Sequence, residues 1–199
     1  MKNIPSVDLN DFLSNDIDKK KAFVNKLGKA YNEIGFVALK GHFLDDNDIK
    51  EVYSSIKEFF DLPEDIKAKY ELDGFDGQRG YTSFGKEHAK GKKHGDLKEF
   101  WHFGQYLDDD EYIKFNYPKN QIVNELPRFN NIGKKVFQSL EKTAIYVLRA
   151  ISLYLDLEED HFDKYVKKGN SILRPIHYPP IQTKPCLLYT SPSPRDSIR

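Results

Sequence analysis

The strongest periodic pattern in the sequence lies between residues 131 and 155. Its apolar side chains recur every three or four positions, so they form one stripe when the segment is wound as an α-helix: Val136, Leu140, Ala144, Val147, Leu148, Ile151 and Leu155. A helix in water is stabilised mainly by packing of its apolar face. The chain must therefore supply a second layer of structure that covers this stripe.

Two short strands are predicted before this helix. Residues 4–9 have a strand pattern with a proline near the start, which favours an edge position. Residues 36–39 form a compact apolar run and predict a buried strand. Between them, helical spacing continues up to Gly35, a residue suited to the left-handed conformation at a helix C-terminus.

A second amphipathic helix follows the two strands. Asp45 or Asp46 is a suitable N-cap. The apolar side of this helix consists of Ile49, Val52, Tyr53, Ile56, Phe59 and Phe60. A short helix is predicted over residues 63–70, because proline is well tolerated in the first helical turn.

The rest of the sequence alternates loops with short elements. The glycine-rich residues 72–95 have no apolar period and predict a long ordered loop or lid. Strand patterns return at residues 97–103 and 171–178. Between these strands, a loop is predicted around residues 108–118 and a short helix over residues 158–167. We therefore expect an α+β fold in which helices cover one side of an antiparallel sheet and the long helix packs on its outer face.

Charge and composition exclude several classes of function. The 199 residues include 31 basic and 31 acidic side chains, so no overall field attracts nucleic acid or an anionic membrane. No apolar stretch approaches the roughly 18–20 residues that a membrane span requires, and we expect a cytoplasmic protein. The single cysteine, Cys186, excludes an internal disulfide framework.

The last residues of the sequence do not fit the pattern of the rest. From Cys186 onward two prolines and several hydroxyl side chains offer neither helical nor strand periodicity. This segment resembles translated sequencing-adapter read-through, and we expect residues 186–199 to be non-native. The alternative is a disordered native tail.

Four ordered segments resemble the isopenicillin N synthase-like family of iron(II)/2-oxoglutarate-dependent oxygenases, and its bacterial branch in particular. They are Ile4-Pro5-Ser6-Val7-Asp8-Leu9; Ile34-Gly35-Phe36-Val37 with Gly41-His42; Gly77-Gln78-Arg79-Gly80-Tyr81 running on to Phe84-Gly85 and Asp96-Leu97-Lys98-Glu99-Phe100-Trp101; and Leu173-Arg174-Pro175-Ile176-His177-Tyr178-Pro179-Pro180. The order and spacing of the set, over residues 1–185, carry the resemblance.

The resemblance implies the N-terminal helical and strand region of a double-stranded β-helix, or jelly roll, whose barrel is incomplete here. It implies that residues 1–120 are the dioxygenase N-terminal region and that residues 121–185 contain the long helix and first strand of the jelly roll. It also implies Fe(II), held by two histidines and a carboxylate, with 2-oxoglutarate and dioxygen. Those ligands, a His-x-Asp pair and a distal histidine, are expected beyond residue 185, so this chain is expected to contain no catalytic or metal-binding residue and to bind no cofactor.

Two His-x-Asp triplets within the chain are not at the family's ligand position. His94-Gly95-Asp96 lies in the glycine-rich loop. His161 and Asp163 lie in a predicted helix, where residues two apart point about 200° away from each other and cannot jointly bind one ion. We expect both triplets to be solvated.

Five residues are candidates for the site of the complete enzyme. Arg174 has a guanidinium that can hold a carboxylate at two points, and Tyr178 aligns with a family tyrosine near the cosubstrate; both are candidate cofactor-binding residues. The family's frequent asparagine two positions before that tyrosine is Ile176 here. Arg79, Tyr81 and Trp101 are candidate substrate-binding residues; Arg79 alternatively anchors a loop, and the two aromatic residues alternatively cover the sheet.

The sequence therefore favours part of an oxygenase that oxidises a small molecule by hydroxylation, desaturation or cyclisation. A non-catalytic binding module and an iron oxidase of the same fold that does not use 2-oxoglutarate are the alternatives. The expected partners are a small-molecule substrate and dioxygen, with no nucleic acid and no membrane. The apolar stripe of the long helix is expected to lie partly uncovered.

Overall fold

The structure, a computed structural model, describes residues 3–74, 77–87 and 95–180. In chain order its elements are β1 (Ser6–Asp8), α1 (Leu9–Leu13), α2 (Ile17–Glu33), β2 (Ala38–Lys40), α3 (Asp46–Phe60), α4 (Glu64–Lys67), a 3-10 turn (Ala68–Tyr70), β3 (Gly80–Thr82), β4 (Glu99–Gly104), α5 (Asp109–Phe115), α6 (Pro127–Tyr154), α7 (Asp163–Val166), β5 (Ile172–Leu173) and β6 (Ile176–His177). In these ranges no helix is long and apolar enough to cross a membrane.

The chain divides into two compact units. Met1–Glu51 and Lys135–Gly169 form the first unit, and Val52–Lys134 with Asn170–Arg199 form the second. The predicted mixture of helices and strands is confirmed, but the expected antiparallel pairing holds only in the second unit, because β1 and β2 are parallel. No closed barrel is present in the described residues. The segment from Cys186 onward and the histidine of the first His-x-Asp triplet, His94, lie outside the described residues.

The first unit is built on two parallel strands, β1 and β2, with Val7 opposite Leu39. Helices α1 and α2 connect the strands, and Asp16 caps α2 by accepting hydrogen bonds from two backbone amides of its first turn. The apolar core of the unit consists of Val7, Leu9, Phe12, Phe23, Val24, Leu27 and Ala150. Gly35 has a φ of +81°, which confirms the predicted left-handed residue at the C-terminal end of α2.

The predicted buried strand at residues 36–39 is partly wrong. The strand begins at Ala38, and Phe36 before it is 60% exposed. Only Val37 and Leu39 pack against the core, because alternate side chains of a strand point to opposite faces and this strand has one covered face.

The second unit contains an antiparallel sheet centred on β4. Strand β3 pairs with one edge of β4, and β5 and β6 both pair with its other edge. The predicted strand at residues 171–178 is confirmed but divided at Arg174 and Pro175. The backbone amide of Trp101 donates to the carbonyl of Pro175 at 3.0 Å, so β4 remains bonded to this segment across the break.

Two predicted loops contain regular structure, so those predictions were wrong there. Strand β3 lies inside the glycine-rich region and is buried at all three residues. Its pairing with β4 is non-local and leaves no periodic signal in such a short segment. Helix α5 replaces the predicted loop around residues 108–118, because three acidic residues in its first turn interact favourably with the helix dipole.

Helix α6 confirms the predicted long helix and begins four residues earlier than the pattern indicated. The predicted stripe does not coincide with the buried face, since Leu140 is 40% exposed and Leu155, beyond the helix end, is 53% exposed. The buried side chains of this helix include Phe129, Ile132, Val136 and Ala150. Part of the apolar stripe therefore lies uncovered, as predicted.

Candidate functional site

Strand β4 positions the candidate site, because all six of its residues are buried and alternate side chains point to opposite faces. One face carries Glu99, Trp101 and Phe103, and we call it the Trp101 face. The other carries Phe100 and His102, and Arg174 of the neighbouring segment lies on it; we call it the Arg174 face. The two faces differ in what covers them and in their chemistry.

The Trp101 face is an aromatic core. Phe59 of α3 lies 4.8 Å from the Trp101 ring and 5.0 Å from Phe129 of α6, measured between ring centres. Phe103 in turn lies 5.0 Å from Phe129. Trp101 is 1% exposed. The structure thus places this candidate substrate-binding residue in the core between the sheet and the helices, and its substrate role stays a prediction.

A buried network of charged and polar groups lies at the start of β4. Glu99 accepts hydrogen bonds from Lys67 Nζ at 2.8 Å, from His177 Nδ1 at 2.7 Å and from the Tyr81 hydroxyl. The side chains of Lys67 and Glu99 are 4% and 5% exposed. A charge this deeply buried is stable only when it is paired and hydrogen-bonded. The network therefore joins α4, β3, β4 and β6.

Burial and pairing act in opposite directions on this network. Burial disfavours the ionised form of Glu99, but its hydrogen bonds with Lys67, Tyr81 and His177 hold the pKa of this carboxyl below its ordinary value. Burial likewise disfavours charged Lys67, and its bonds to Glu99 and Glu64 raise the pKa of the ammonium. Burial and the Glu99 carboxylate raise the pKa of the Tyr81 hydroxyl.

The Arg174 face holds a different set of contacts. Nε of Arg174 donates to Nε2 of His102, and Nδ1 of His102 contacts the carbonyl of Gly77. The guanidinium carbon of Arg174 lies 4.3 Å from the centre of the Phe100 ring. Its Nη1 lies 3.5 Å from Oε1 of Glu87. The candidate cofactor-binding arginine is thus held in a defined position on the sheet.

Tyr178 is 68% exposed, and Ile176 before it is 42% exposed. Strand β6 consists of Ile176 and His177, so Arg174 precedes the strand and Tyr178 follows it. The cosubstrate role of these two candidate residues stays a prediction.

Arg79 is fully buried and has no carboxylate partner among the described residues. Its Nη2 donates to Oδ1 of Asn170 at 2.6 Å and its Nη1 to the carbonyl of Gln78 at 2.7 Å. The guanidinium packs directly on Gly104, where an added Cβ would lie 1.8 Å from Nε. Burial lowers the pKa of Arg79. These contacts favour the loop-anchoring alternative, and the substrate role stays a prediction.

A cleft of about 500 Å³ opens in the second unit. Its lining residues are Leu72, Asp73, Gly74, Gly77, Tyr81, Thr82, Lys86, Glu87 and Phe100. The structure therefore brings Tyr81, one of the candidate substrate-binding residues, to a cavity of ligand size, whereas Arg79 and Trp101 do not line it.

The described residues of the two His-x-Asp triplets have other partners. Asp163 is held by Arg149, whose Nη2 lies 2.5 Å from the carboxylate, and His161 packs edge-on against the Phe162 ring. Asp96 pairs with Lys98 at 2.9 Å. Over residues 3–74, 77–87 and 95–180, no three histidine, cysteine, aspartate or glutamate side chains are grouped closely enough to hold a metal ion.

Four residues that shape these two faces were not predicted as functional from the sequence: Lys67, Glu87, Glu99 and His102. A signal existed for two of them, since Glu99 and His102 alternate with large aromatic residues in a predicted strand, and a charge there needs a buried partner. Lys67 gave no signal, because a lysine in a short helix is ordinarily solvated.

Comparison with known proteins gives a consistent result. Residues 4–125 match the family described as non-haem dioxygenase in morphine synthesis N-terminal. The 2-oxoglutarate-dependent dioxygenase htyE of Aspergillus rugulosus is 30% identical over 195 residues, which cover 92% of this chain and 57% of that protein. The 1-aminocyclopropane-1-carboxylate oxidase of Dictyostelium mucoroides is 28% identical over 187 residues, covering 90% of this chain and 50% of that protein.

A solved structure extends the likeness to the fold. A 2OG-Fe(II) oxygenase family protein from Caulobacter crescentus is 36% identical and superimposes with a TM-score of 0.78, covering 92% of this chain and 59% of that chain. This chain spans about half the length of the curated relatives it matches. The family match covers more than half of the sequence, and the helices and sheet agree with it. The chain therefore belongs to the non-haem, iron(II)- and 2-oxoglutarate-dependent dioxygenase family.

Proposed function

We propose that this chain is the N-terminal part of an oxygenase that uses Fe(II) and 2-oxoglutarate to oxidise a small molecule by hydroxylation, desaturation or cyclisation. The observation that carries the proposal is the 36% identity and TM-score of 0.78 to the Caulobacter oxygenase, across 92% of this chain. The bacterial source of that protein supports the bacterial branch. The chain covers 59% of it, which supports a longer complete protein. The division into residues 1–120, residues 121–185 and a non-native tail of residues 186–199 stays part of the proposal.

The residues described do not fit an iron site. Fe(II) in this family requires two histidines and a carboxylate on one face of the metal. No such group exists in the described part of the chain. We propose that the ligands belong to sequence that follows the Tyr178-Pro179-Pro180 segment and that this chain alone is inactive.

The described residues fit 2-oxoglutarate better than they fit iron, because a guanidinium is suited to a carboxylate. Arg174 and Tyr178 are the candidate cosubstrate contacts. The location of Arg174 on a sheet face, 37% exposed and held by His102, supports its assignment. For the substrate, the cleft supports Tyr81, which is as buried as Trp101 but lines the cleft, whereas Arg79 and Trp101 do not line it.

The test compares two proteins: the product of the continuous coding sequence, and the 199-residue chain. Both are supplied with Fe(II), 2-oxoglutarate and dioxygen, and succinate formation is measured against a panel of small molecules. We expect succinate from the longer protein only. Turnover by the 199-residue chain would contradict the inactivity, and a longer protein that binds neither Fe(II) nor 2-oxoglutarate would favour a binding module.

A second candidate is an iron oxidase of the same fold that does not use 2-oxoglutarate. The name of the Dictyostelium relative, an oxidase without mention of 2-oxoglutarate, favours it. Oxygen consumption by the longer protein that is independent of added 2-oxoglutarate would support this candidate over the first.

A further inference from the structure

We propose that His102 is a positioning residue that orients the guanidinium of Arg174 toward the carboxylate of a small-molecule ligand. The proposal rests on the proposed function in that the ligand is the cosubstrate or the substrate of the oxygenase. Its chemistry is otherwise independent of iron, because every contact involved belongs to this chain.

The strand register places the two side chains together. Glu99 is opposite His177 and Phe100 is opposite Ile176 in the antiparallel pair of β4 and β6. Continuing this register places His102 opposite Arg174. Directly opposite residues in an antiparallel pair project to the same face. The register therefore brings both side chains to one face, where Nε of Arg174 contacts Nε2 of His102.

The tautomer of His102 is determined by its surroundings. The carbonyl of Gly77 only accepts hydrogen bonds, so Nδ1 of His102 must carry the proton that faces it. Nε2 then has a free lone pair, which accepts from Nε of Arg174. Burial, together with the neighbouring charge of Arg174, lowers the pKa of His102 to about 4, and Gly77, Arg79 and Glu87 modify it further. The imidazole is thus neutral at physiological pH.

This bond leaves the outer edge of the guanidinium for a ligand. With Nε engaged, the two terminal nitrogens remain, and their parallel N–H groups match a carboxylate in two-point fashion. Oε1 of Glu87 lies 3.5 Å from Nη1, while the other oxygen of the same carboxylate, Oε2, pairs with Lys98 at 2.6 Å. The distance to Nη1 is longer than an ordinary hydrogen bond. A ligand carboxylate that engages both terminal nitrogens would therefore replace the weak contact of Glu87 with Nη1.

The Phe100 ring completes the support. It lies 4.3 Å from the guanidinium carbon of Arg174 and 4.8 Å from the His102 ring centre. A guanidinium stacked on a ring and bonded at Nε loses little further rotamer entropy when it binds an anion. The arrangement is that of a pre-oriented carboxylate anchor.

A purely structural role is the competing explanation, in which the contact only ties Arg174 to β4. Two spectroscopic measurements on the 199-residue chain separate the explanations. The first is the nitrogen–nitrogen coupling across the bond between Arg174 Nε and His102 Nε2, by NMR on uniformly labelled protein. The second is the response of the Arg174 side-chain resonances to sodium 2-oxoglutarate, with acetate as a monocarboxylate probe and sodium chloride at equal ionic strength as the control.

Three variants carry the test: His102→Leu removes the acceptor, His102→Gln retains one, and His42→Leu is the matched control at an exposed histidine. The sequence predicts that this chain binds no cofactor, but the proposed contact with Arg174 needs no iron. We therefore expect wild type, His102→Gln and His42→Leu to bind 2-oxoglutarate alike. We expect His102→Leu to bind roughly tenfold more weakly, because Arg174 loses the charge-assisted hydrogen bond at Nε that orients its guanidinium toward the ligand.

The outcomes are distinct from those of the activity test. Equal binding by His102→Leu and wild type, no coupling between the two nitrogens, or no response of Arg174 to either carboxylate would each overturn the proposal. If His102→Leu fails to fold, the proposal is still tested by the nitrogen–nitrogen coupling in the wild-type chain and by the titration of His102→Gln with 2-oxoglutarate. Preference for 2-oxoglutarate over acetate identifies the cosubstrate as the ligand, and equal binding identifies a carboxylate of the substrate. Intact binding with no 2-oxoglutarate turnover by the longer protein would refute the proposed function alone.

Discussion

Glu99→Gln tests the energetic importance of the buried network most directly. The substitution keeps the shape of the side chain and removes the negative charge that compensates Lys67 at 2.8 Å, in a pair with 4% and 5% exposed side chains. Removing one partner of a buried ion pair costs about 3–5 kcal/mol. We expect about 3 kcal/mol, the lower end, because Glu64 lies 3.0 Å from Lys67 and retains part of the compensation.

Urea unfolding followed by Trp101 fluorescence is the assay, since this is the single tryptophan and it lies in the same sheet as the network. With a slope of about 2 kcal/mol per molar urea, the midpoint should fall by roughly 1.5 M. The double variant Glu99→Gln/Lys67→Met should be more stable than Glu99→Gln alone, because the uncompensated charge is gone.

The matched control is Asp61→Asn, which breaks the exposed pair of Lys57 and Asp61, with side chains 77% and 59% exposed. Such surface pairs contribute about 0–1 kcal/mol, so little change is expected. If Glu99→Gln is no more destabilising than this control, or if the double variant is simply additive, the network does not stabilise the sheet as argued.

The same pair predicts a pH dependence. The folded-state pKa of Glu99 is lowered, so its contribution is present above its unfolded pKa of about 4.3 and is lost as pH falls through the folded value. The folded-state pKa of Lys67 is raised, so its contribution is present below about 10.4 and is lost as pH rises through the folded value. Glu99→Gln should flatten the acid limb of the stability curve.

Two further substitutions test other buried features, each by urea unfolding. Arg79→Met should leave the free energy of unfolding unchanged within about 1 kcal/mol or raise it. The reason is that the buried cation has no carboxylate partner in the described residues. A loss above about 3 kcal/mol would show that the two hydrogen bonds of Arg79 outweigh the cost of burying its charge. Gly80→Ala should lower the free energy of unfolding more than Gly74→Ala does. Both glycines have a positive φ, but only at Gly80 would an added Cβ meet a backbone carbonyl, that of Tyr70 at 2.3 Å. Equal losses of stability in the two variants would contradict this packing argument.

Helices with clear periodicity were predictable from the sequence. The stripe at residues 131–155 located α6, and Gly35 and Asp45 marked the end of α2 and the start of α3 as the structure has them. Periodicity reports an apolar stripe but not which part of it a neighbouring layer covers. The pattern therefore did not indicate that Leu140 and Leu155 are the exposed members of the stripe, or that Ile132, outside the stripe, is buried.

Strand β3 and the charged network were not predictable by the same reasoning. Gly80–Thr82 becomes a strand only because β4 binds it, and a partner about twenty residues away leaves no local pattern. Glu99 in a predicted strand indicates that a buried partner is needed, but no local pattern identifies Lys67 as that partner. Non-local pairing decides both features, so single-sequence patterns cannot supply them.

The alternation along β4 connects the fold to the proposed chemistry. One face of the strand carries Glu99, Trp101 and Phe103, which form the buried ion pair and the aromatic core. These contacts leave no exposed surface for a ligand on that face of β4. The intervening residues Phe100 and His102 support an arginine that is 37% exposed. A one-residue shift in the register of β4 would exchange its two faces, so that Glu99 and Trp101 would move to the side of Arg174 and Phe100 and His102 to the opposite side. The packing that stabilises the second unit therefore also determines which side of the sheet can recognise an anion.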